Sequence, residues 1–201
     1  LGLRMAYHDL LDPIPGYIKG AKLEMFNFEF RQNLDHDKTR IQSLRFIDIA
    51  SLSPRNELVT PISWHVSTGF KRPDSAKDEL TAFFTSGAGT SYQWESQLFY
   101  TLFNGELNLD NDISNGYRIA SGPRIGWLTQ NTKWSAGIEA NYLYDVFGAE
   151  FKEHNMNISF SYNLNKNWQM RVETGYKQYF IETTRKTNYE HENVLSIMHY
   201  F

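Results

Sequence analysis

The chain is 201 residues long and carries 20 Lys and Arg against 23 Asp and Glu, a formal net charge of -3, so it lacks the basic footprint of a nucleic-acid surface. The absence of cysteine removes disulfide frameworks, thiolate metal sites and a cysteine nucleophile from this segment. Mean hydropathy is -0.53 and no apolar run approaches the roughly 18 residues of a membrane helix, which excludes a helical membrane protein.

Aromatic residues make up 15% of the chain, an excess that favours strands and polar-apolar boundaries. Period-two alternation recurs almost everywhere. Leu1 to His8 sets Leu1, Leu3, Met5 and Tyr7 against Gly2, Arg4, Ala6 and His8, and a Pro-rich turn follows at residues 12–16. Ala21 to Gln32 places Phe26, Phe28 and Phe30 opposite Asn27, Glu29 and Arg31. Arg40 to Leu52 fits less cleanly, because either Arg45 or Asp48 must share a face with apolar neighbours. After a turn at residues 53–56, Trp64, Val66 and Phe70 alternate with His65, Ser67 and Lys71. Leu80 to Trp94 and Gln97 to Asp110 follow, joined by a very short link.

The next pair is the most regular. Gly116 to Gln130 sets Tyr117, Ile125 and Trp127 against Arg118, Arg124 and Gly126, and Pro123, which cannot donate to a ladder, predicts a bulge. Trp134 to Phe147 sets Trp134, Ile138 and Tyr144 against Ser135, Glu139 and Asp145. Met156 to Leu164 and Trp168 to Lys177 repeat the pattern, residues 181–188 read as a loop, and Tyr189 to Phe201 completes eleven strand-like segments. At about 12 to 14 residues they exceed the usual 5 or 6 and match or exceed the 9 to 11 that span a bilayer. The fold expected over residues 1–201 is one all-β domain, an antiparallel up-and-down meander.

Alternation alone does not say which face meets solvent. Three features favour an outer-membrane barrel over a soluble calyx. The polar face mixes Gly, Ser, Asn and Thr with opposite charges, as a crowded lumen requires; the expected lumen network is Arg4, Glu29, Arg31, Arg118, Arg124, Glu139, Asp145, Arg171, Glu173 and Lys177. Links near Glu95, Thr132 and Lys166 are short, those around Asp112, Glu150 and Arg185 longer or more polar, as in barrels with short periplasmic turns. With that direction, Trp64, Trp94, Trp127, Trp134 and Trp168 all fall at periplasmic strand ends, an aromatic girdle, and Tyr117, Tyr142, Tyr144 and Tyr176 fall toward the external ends.

His65 and Ser67 share one strand face and are the only catalytic candidates, because outer-membrane phospholipases use His and Ser on a barrel wall. Parity with Trp64 and Val66 puts both in the lumen, away from lipid, where packing is the default role. His36 and His154 have acidic neighbours Asp35, Asp37 and Glu153, but the spacing is nonspecific and no metal site is expected. Asp110, Asn111 and Asp112 begin like a calcium loop and lack the rest of its spacing. No cofactor is implied. Charged side chains from about 12 strands largely fill so narrow a lumen, which favours a closed barrel over a small-solute channel.

Residues 6–13, Ala-Tyr-His-Asp-Leu-Leu-Asp-Pro, resemble the C-terminal barrel of a family of uncharacterised Gram-negative envelope proteins. Residues 48–55, Pro61-Ile62-Ser63-Trp64 and Ser121-Gly122-Pro123-Arg124 extend the likeness over essentially the whole chain. The resemblance implies an N-terminal periplasmic domain of the Lnb type, related to papain-like cysteine amidases, with any amidase activity upstream. Implied location is the outer membrane, and implied partners are its lipid, the assembly machinery and the chain's own periplasmic domain. The last segment, with Leu195, Ile197, His199 and terminal Phe201, resembles the signal that machinery recognises, His199 standing where an aromatic or apolar residue is more common.

The expectation is therefore a barrel that anchors and positions a periplasmic domain, with docking at residues 9–20 and 53–60. Its rivals are a lipid- or lipopolysaccharide-modifying enzyme and a channel. Because Leu1 already lies within a strand pattern, the chain reads as a fragment. First and last strands run in the same direction, so closure requires a further strand: eleven here of about twelve.

Overall fold

In the computed structural model, residues 2–12, 19–33, 38–72, 80–109, 116–147, 151–181 and 186–199 are described. Alternation becomes strand nearly wherever it was expected. The elements are β1 (Gly2–His8), β2 (Ala21–Asn33), β3 (Lys38–Ser51), the two-residue β4 (Pro54–Arg55), β5 (Ser63–Lys71), β6 (Thr81–Trp94), β7 (Gln97–Leu109), β8 (Tyr117–Gln130), β9 (Trp134–Phe147), β10 (Phe151–Asn163), β11 (Trp168–Ile181) and β12 (Lys186–His199). Eleven of them form one antiparallel meander in chain order, and β4 pairs in parallel with β6. β1 and β12 run in the same direction, and no ladder joins them among the described residues.

The sheet is curled. Nine strand steps of ~4.8 Å would put β11 ~43 Å from β1 in a flat sheet. Yet Arg171 on β11 bonds to Asp9 and Asp12, which directly follow β1. His65 on β5 likewise meets Arg124 on β8 across 3.2 Å. Side chains can close such gaps only over a concave face, so the molecule is a partially closed barrel.

Two bulges resolve the conflict in β3. Phe26 is one residue too many in β2 against β1, and Phe46 one too many in β3 against β5. An extra residue shifts the parity by one, so Glu24 and Asn27 both face inward, as do Arg45 and Asp48, each pair three residues apart. Phe26 sits at φ 52°, a conformation that side chains rarely adopt. It packs edge-on against Phe46, and Phe46 against Phe70, at 6.3 and 5.8 Å.

Polarity is inverted relative to a soluble protein. Among the described residues, twenty buried side chains are polar or charged and eleven are apolar. The large exposed apolar side chains, such as Phe84, Phe103, Ile125, Ile158 and Val172, lie on the outer face from β2 to β12.

Some expectations need correction. The ladder between β8 and β9 lapses at Gly122 and Pro123, but the register shift lies at Ile119 and Ala120 instead. Proline merely leaves its ladder positions empty there, since the partner strand contains the matching residues. The β11–β12 hairpin extends to Ile181 and Lys186, through much of the expected loop. Link lengths separate the two ends less than expected: only residues 148–150 and 182–185 join β9 to β10 and β11 to β12, against 131–133 and 164–167 at the opposite end. The longest connections, 9–20 and 52–62, lie at the end that carries the Trp residues.

Candidate functional site

The inner face carries three charge clusters stacked between the two ends of the sheet. At the Trp end, Arg171 is 2% exposed at its side chain and holds both Asp9 and the fully buried Asp12. Its Nε donates to Ser161 Oγ at 2.9 Å and its Nη2 to Gln169 Oε1 at 3.2 Å. Gln130 and Gln169 donate to the backbone carbonyls of Leu10 and Leu11. These bonds draw residues 9–12 inward as a latch. Leu11 then packs with Leu52, Leu98, Tyr100, Leu102 and Leu128 into an apolar core inside the barrel.

In the middle, Lys22 meets Asp48 at 2.6 Å, and Arg45 lies 3.4 Å from Asp48 and 3.7 Å from Glu24. Arg124 bonds to Glu139 at 2.6 Å, and Tyr100 donates to the same carboxylate. His65 joins the halves: Nε2 lies 2.9 Å from Asp48 Oδ1 and Nδ1 lies 3.2 Å from Arg124 Nη1. Arginine can only donate, so Nδ1 accepts and Nε2 carries the proton given to Asp48. Tyr100 fits because residue 126 is glycine; a Cβ there would lie 2.1 Å from the Tyr100 ring.

At the far end, Lys71 bonds to Glu106 at 3.0 Å, Arg118 to Asp145 at 2.5 Å and Lys177 to Glu153 at 3.1 Å. The middle and far clusters each set three cations against three carboxylates. Burial of charge is tolerated only with such pairing.

Of the expected lumen network, Arg118, Arg124, Glu139, Asp145, Arg171 and Lys177 enter these clusters, and Glu29 accepts from Ser43 at 2.9 Å. Glu173 lies half-buried on the inner face. The side chains of Arg4 and Arg31 lie outside the described residues, as do His36, residues 110–112 and Phe201. His65 and Ser67 are both buried, but both ring nitrogens of His65 are engaged elsewhere. No hydrogen bond joins the pair among the described residues; His65 instead bridges Asp48 and Arg124. His154 packs edge-on against Tyr142 at 4.4 Å on the outer face, whereas Glu153 points inward, so the two do not share a cation site.

The expected network lacked Lys22, Glu24, Arg45, Asp48, Lys71, Glu106 and Glu153, the latch carboxylates Asp9 and Asp12, and the inward apolar residues of β7. The signal was present in part. Two charges three residues apart in an apolar strand, Arg45 and Asp48, mark a bulge.

Trp94 ends β6, Trp134 and Trp168 begin β9 and β11, Trp64 is second in β5 and Trp127 is within three residues of the end of β8. All five thus lie toward one end of the sheet. Trp127 donates to Gln97 Oε1 at 3.0 Å, and Trp168 packs against His199 at 4.6 Å.

A family model described as a domain of unknown function, DUF7840, matches residues 1–200. The chain belongs to this family. No curated protein and no solved structure matches it. For this DUF7840 domain, the inner face and the outer belt carry the functional reading.

Proposed function

We propose that the curled sheet is the wall of a transmembrane β-barrel in the Gram-negative outer membrane, about twelve strands when closed, that anchors and positions a periplasmic domain. The inverted polarity carries this reading. A continuous apolar exterior over an interior rich in ion pairs is costly in water, where the largest apolar patch of a monomer is about 300–600 Å², and is what lipid requires. Strands of 13 residues tilted by about 40° reach ~33 Å, enough for an apolar band of about 25 Å.

The 95–96 link at the Trp end is the shortest between neighbouring strands and supports a periplasmic assignment, while 131–133 and 164–167 only equal 148–150 and 182–185 at the other end. Parity adds that β1 and β12 accept one antiparallel strand between them. The resemblance to envelope proteins with an Lnb-type domain supports the anchoring role and suggests that Leu195, Ile197, His199 and Phe201 address the assembly machinery. Residues 9–12 are drawn inward, which removes them from the docking segment expected at residues 9–20. Latch and inner core fill the Trp end, which favours a closed barrel over a conducting one; the engagement of both His65 ring nitrogens by Asp48 and Arg124 argues against His65 as the general base of a lipid hydrolase.

Reconstituted into vesicles of phosphatidylethanolamine and phosphatidylglycerol, the full-length protein is expected to float with the lipid, to resist carbonate extraction and to leave an entrapped dye inside. Release by carbonate, or a folded monomer in detergent-free buffer, would overturn the membrane assignment. Rapid dye leakage would replace the anchor by a channel.

A further inference from the structure

The loop between β4 and β5 carries the most exposed large apolar side chain among the described residues. Leu58 is 94% exposed, Val59 56% and Ile62 65%. The segment is nonetheless ordered by its own hydrogen bonds. Asn56 Oδ1 accepts from the amides of Leu58 and Val59 at 2.9 and 2.7 Å, and the Asn56 amide donates to the Val59 carbonyl at 3.0 Å. An Asx turn of this kind fixes what it displays. Ser63 ties the end of the loop to Ser53 and Ser91.

Register places the turn. Arg55 pairs with Tyr92, two residues before Trp94 at the end of β6, so the parallel chain reaches the level of Trp94 at residues 56 and 57. Tyr92 and Trp94 are themselves 55% and 69% exposed. Ile62 continues the outward row of Trp64 and Val66 by period two. Leu58, Val59 and Ile62 therefore extend the outer apolar belt at the level of the Trp residues.

We infer that the Asn56–Ile62 turn is a lipid anchor, seated with Tyr92 and Trp94 in the interfacial layer of the phospholipid leaflet at the Trp end. The inference rests on the membrane reading and adds a specific contact to it. Arg55 and Glu57 flank the turn and are both exposed; their charges cancel, so apolar insertion and not headgroup charge holds the turn in place. Interfacial apolar elements of this type reach about 5–10 Å into the headgroup and acyl boundary. Such a contact at one point of the rim fixes the depth and tilt of the barrel.

Residues 1–201 contain no cysteine, so Leu58→Cys adds one thiol to this segment, at a residue whose side chain folding does not use, and any cysteine outside the segment is replaced by serine. The full-length variant, nitroxide-labelled and reconstituted in the same lipid mixture, is compared with Ile158→Cys in the middle of β10. Oxygen, which partitions into lipid, and an aqueous nickel chelate report the environment of each label. Both labels are expected to favour oxygen, with a loss of nickel access at Leu58 relative to the same label on detergent-free unfolded chain. A nickel-accessible Leu58 label beside a lipid-facing Ile158 label overturns the anchor and leaves the barrel intact. A Leu58 label screened from both reagents shows a protein covering the turn, which also overturns the lipid assignment. Nickel access at both positions removes the membrane reading itself.

Discussion

Replacing Arg171 by methionine is expected to destabilise the folded barrel by about 3–5 kcal/mol, the cost of stripping one partner from a buried ion pair. The guanidinium is shared by Asp9 and Asp12, and Asp12 is fully buried. Methionine preserves volume but removes the guanidinium that both carboxylates share. The latch should then leave the interior and expose Leu11 together with the inner core it completes. Urea unfolding from lipid vesicles, read by the shift in gel mobility between folded and unfolded forms, measures the loss. Adding Asp9→Asn and Asp12→Asn to Arg171→Met should recover part of the stability, because the coupling lies between these residues. If Arg171→Met alone leaves the unfolding midpoint unchanged, the latch is not held as described.

An arginine at Ile158 is expected to act from the other side of the wall. Ile158 lies in the middle of β10, exposed on the outer face and paired with Ile138 and Thr174. In lipid, arginine near the midplane costs about 2–4 kcal/mol. On a water-facing surface the same substitution usually stays within ±0.5 kcal/mol. Folding yield in vesicles should therefore fall sharply for Ile158→Arg and remain near normal for Ile158→Leu. Equal yields for the two variants would identify the outer face as a solvated one.

The strands and most of their faces were legible in the sequence because pairing with one apolar face writes a period of two directly into the chain. β8 to β11 show this most plainly, and their boundaries agree with the alternation to within a few residues. The bulges at Phe26 and Phe46 break that period, so Glu24 and Asp48 were hidden behind an apparent conflict of faces. Pro123 misled for a related reason: a missing donor interrupts a ladder without requiring an extra residue. The latch was illegible. Asp9 and Arg171 are 162 residues apart and meet only because the sheet curls, a property of strand tilt and stagger that local patterning does not encode. Link lengths misled because the β9–β10 and β11–β12 hairpins continue through residues read as loop, which leaves only 148–150 and 182–185 as links.

In a membrane-spanning wall, alternate residues of one strand face lipid and the interior. A cysteine scan along β10, from Asn155 to Tyr162, reads this out in a segment that contains no thiol of its own. Labels at Met156, Ile158, Phe160 and Tyr162 are expected to collide with oxygen and escape the nickel chelate. Those at Asn155, Asn157, Ser159 and Ser161 are expected to show the reverse preference or protection from both, giving an oscillation of period two. Nickel access at the first set, or no oscillation along the strand, would contradict a membrane-spanning wall.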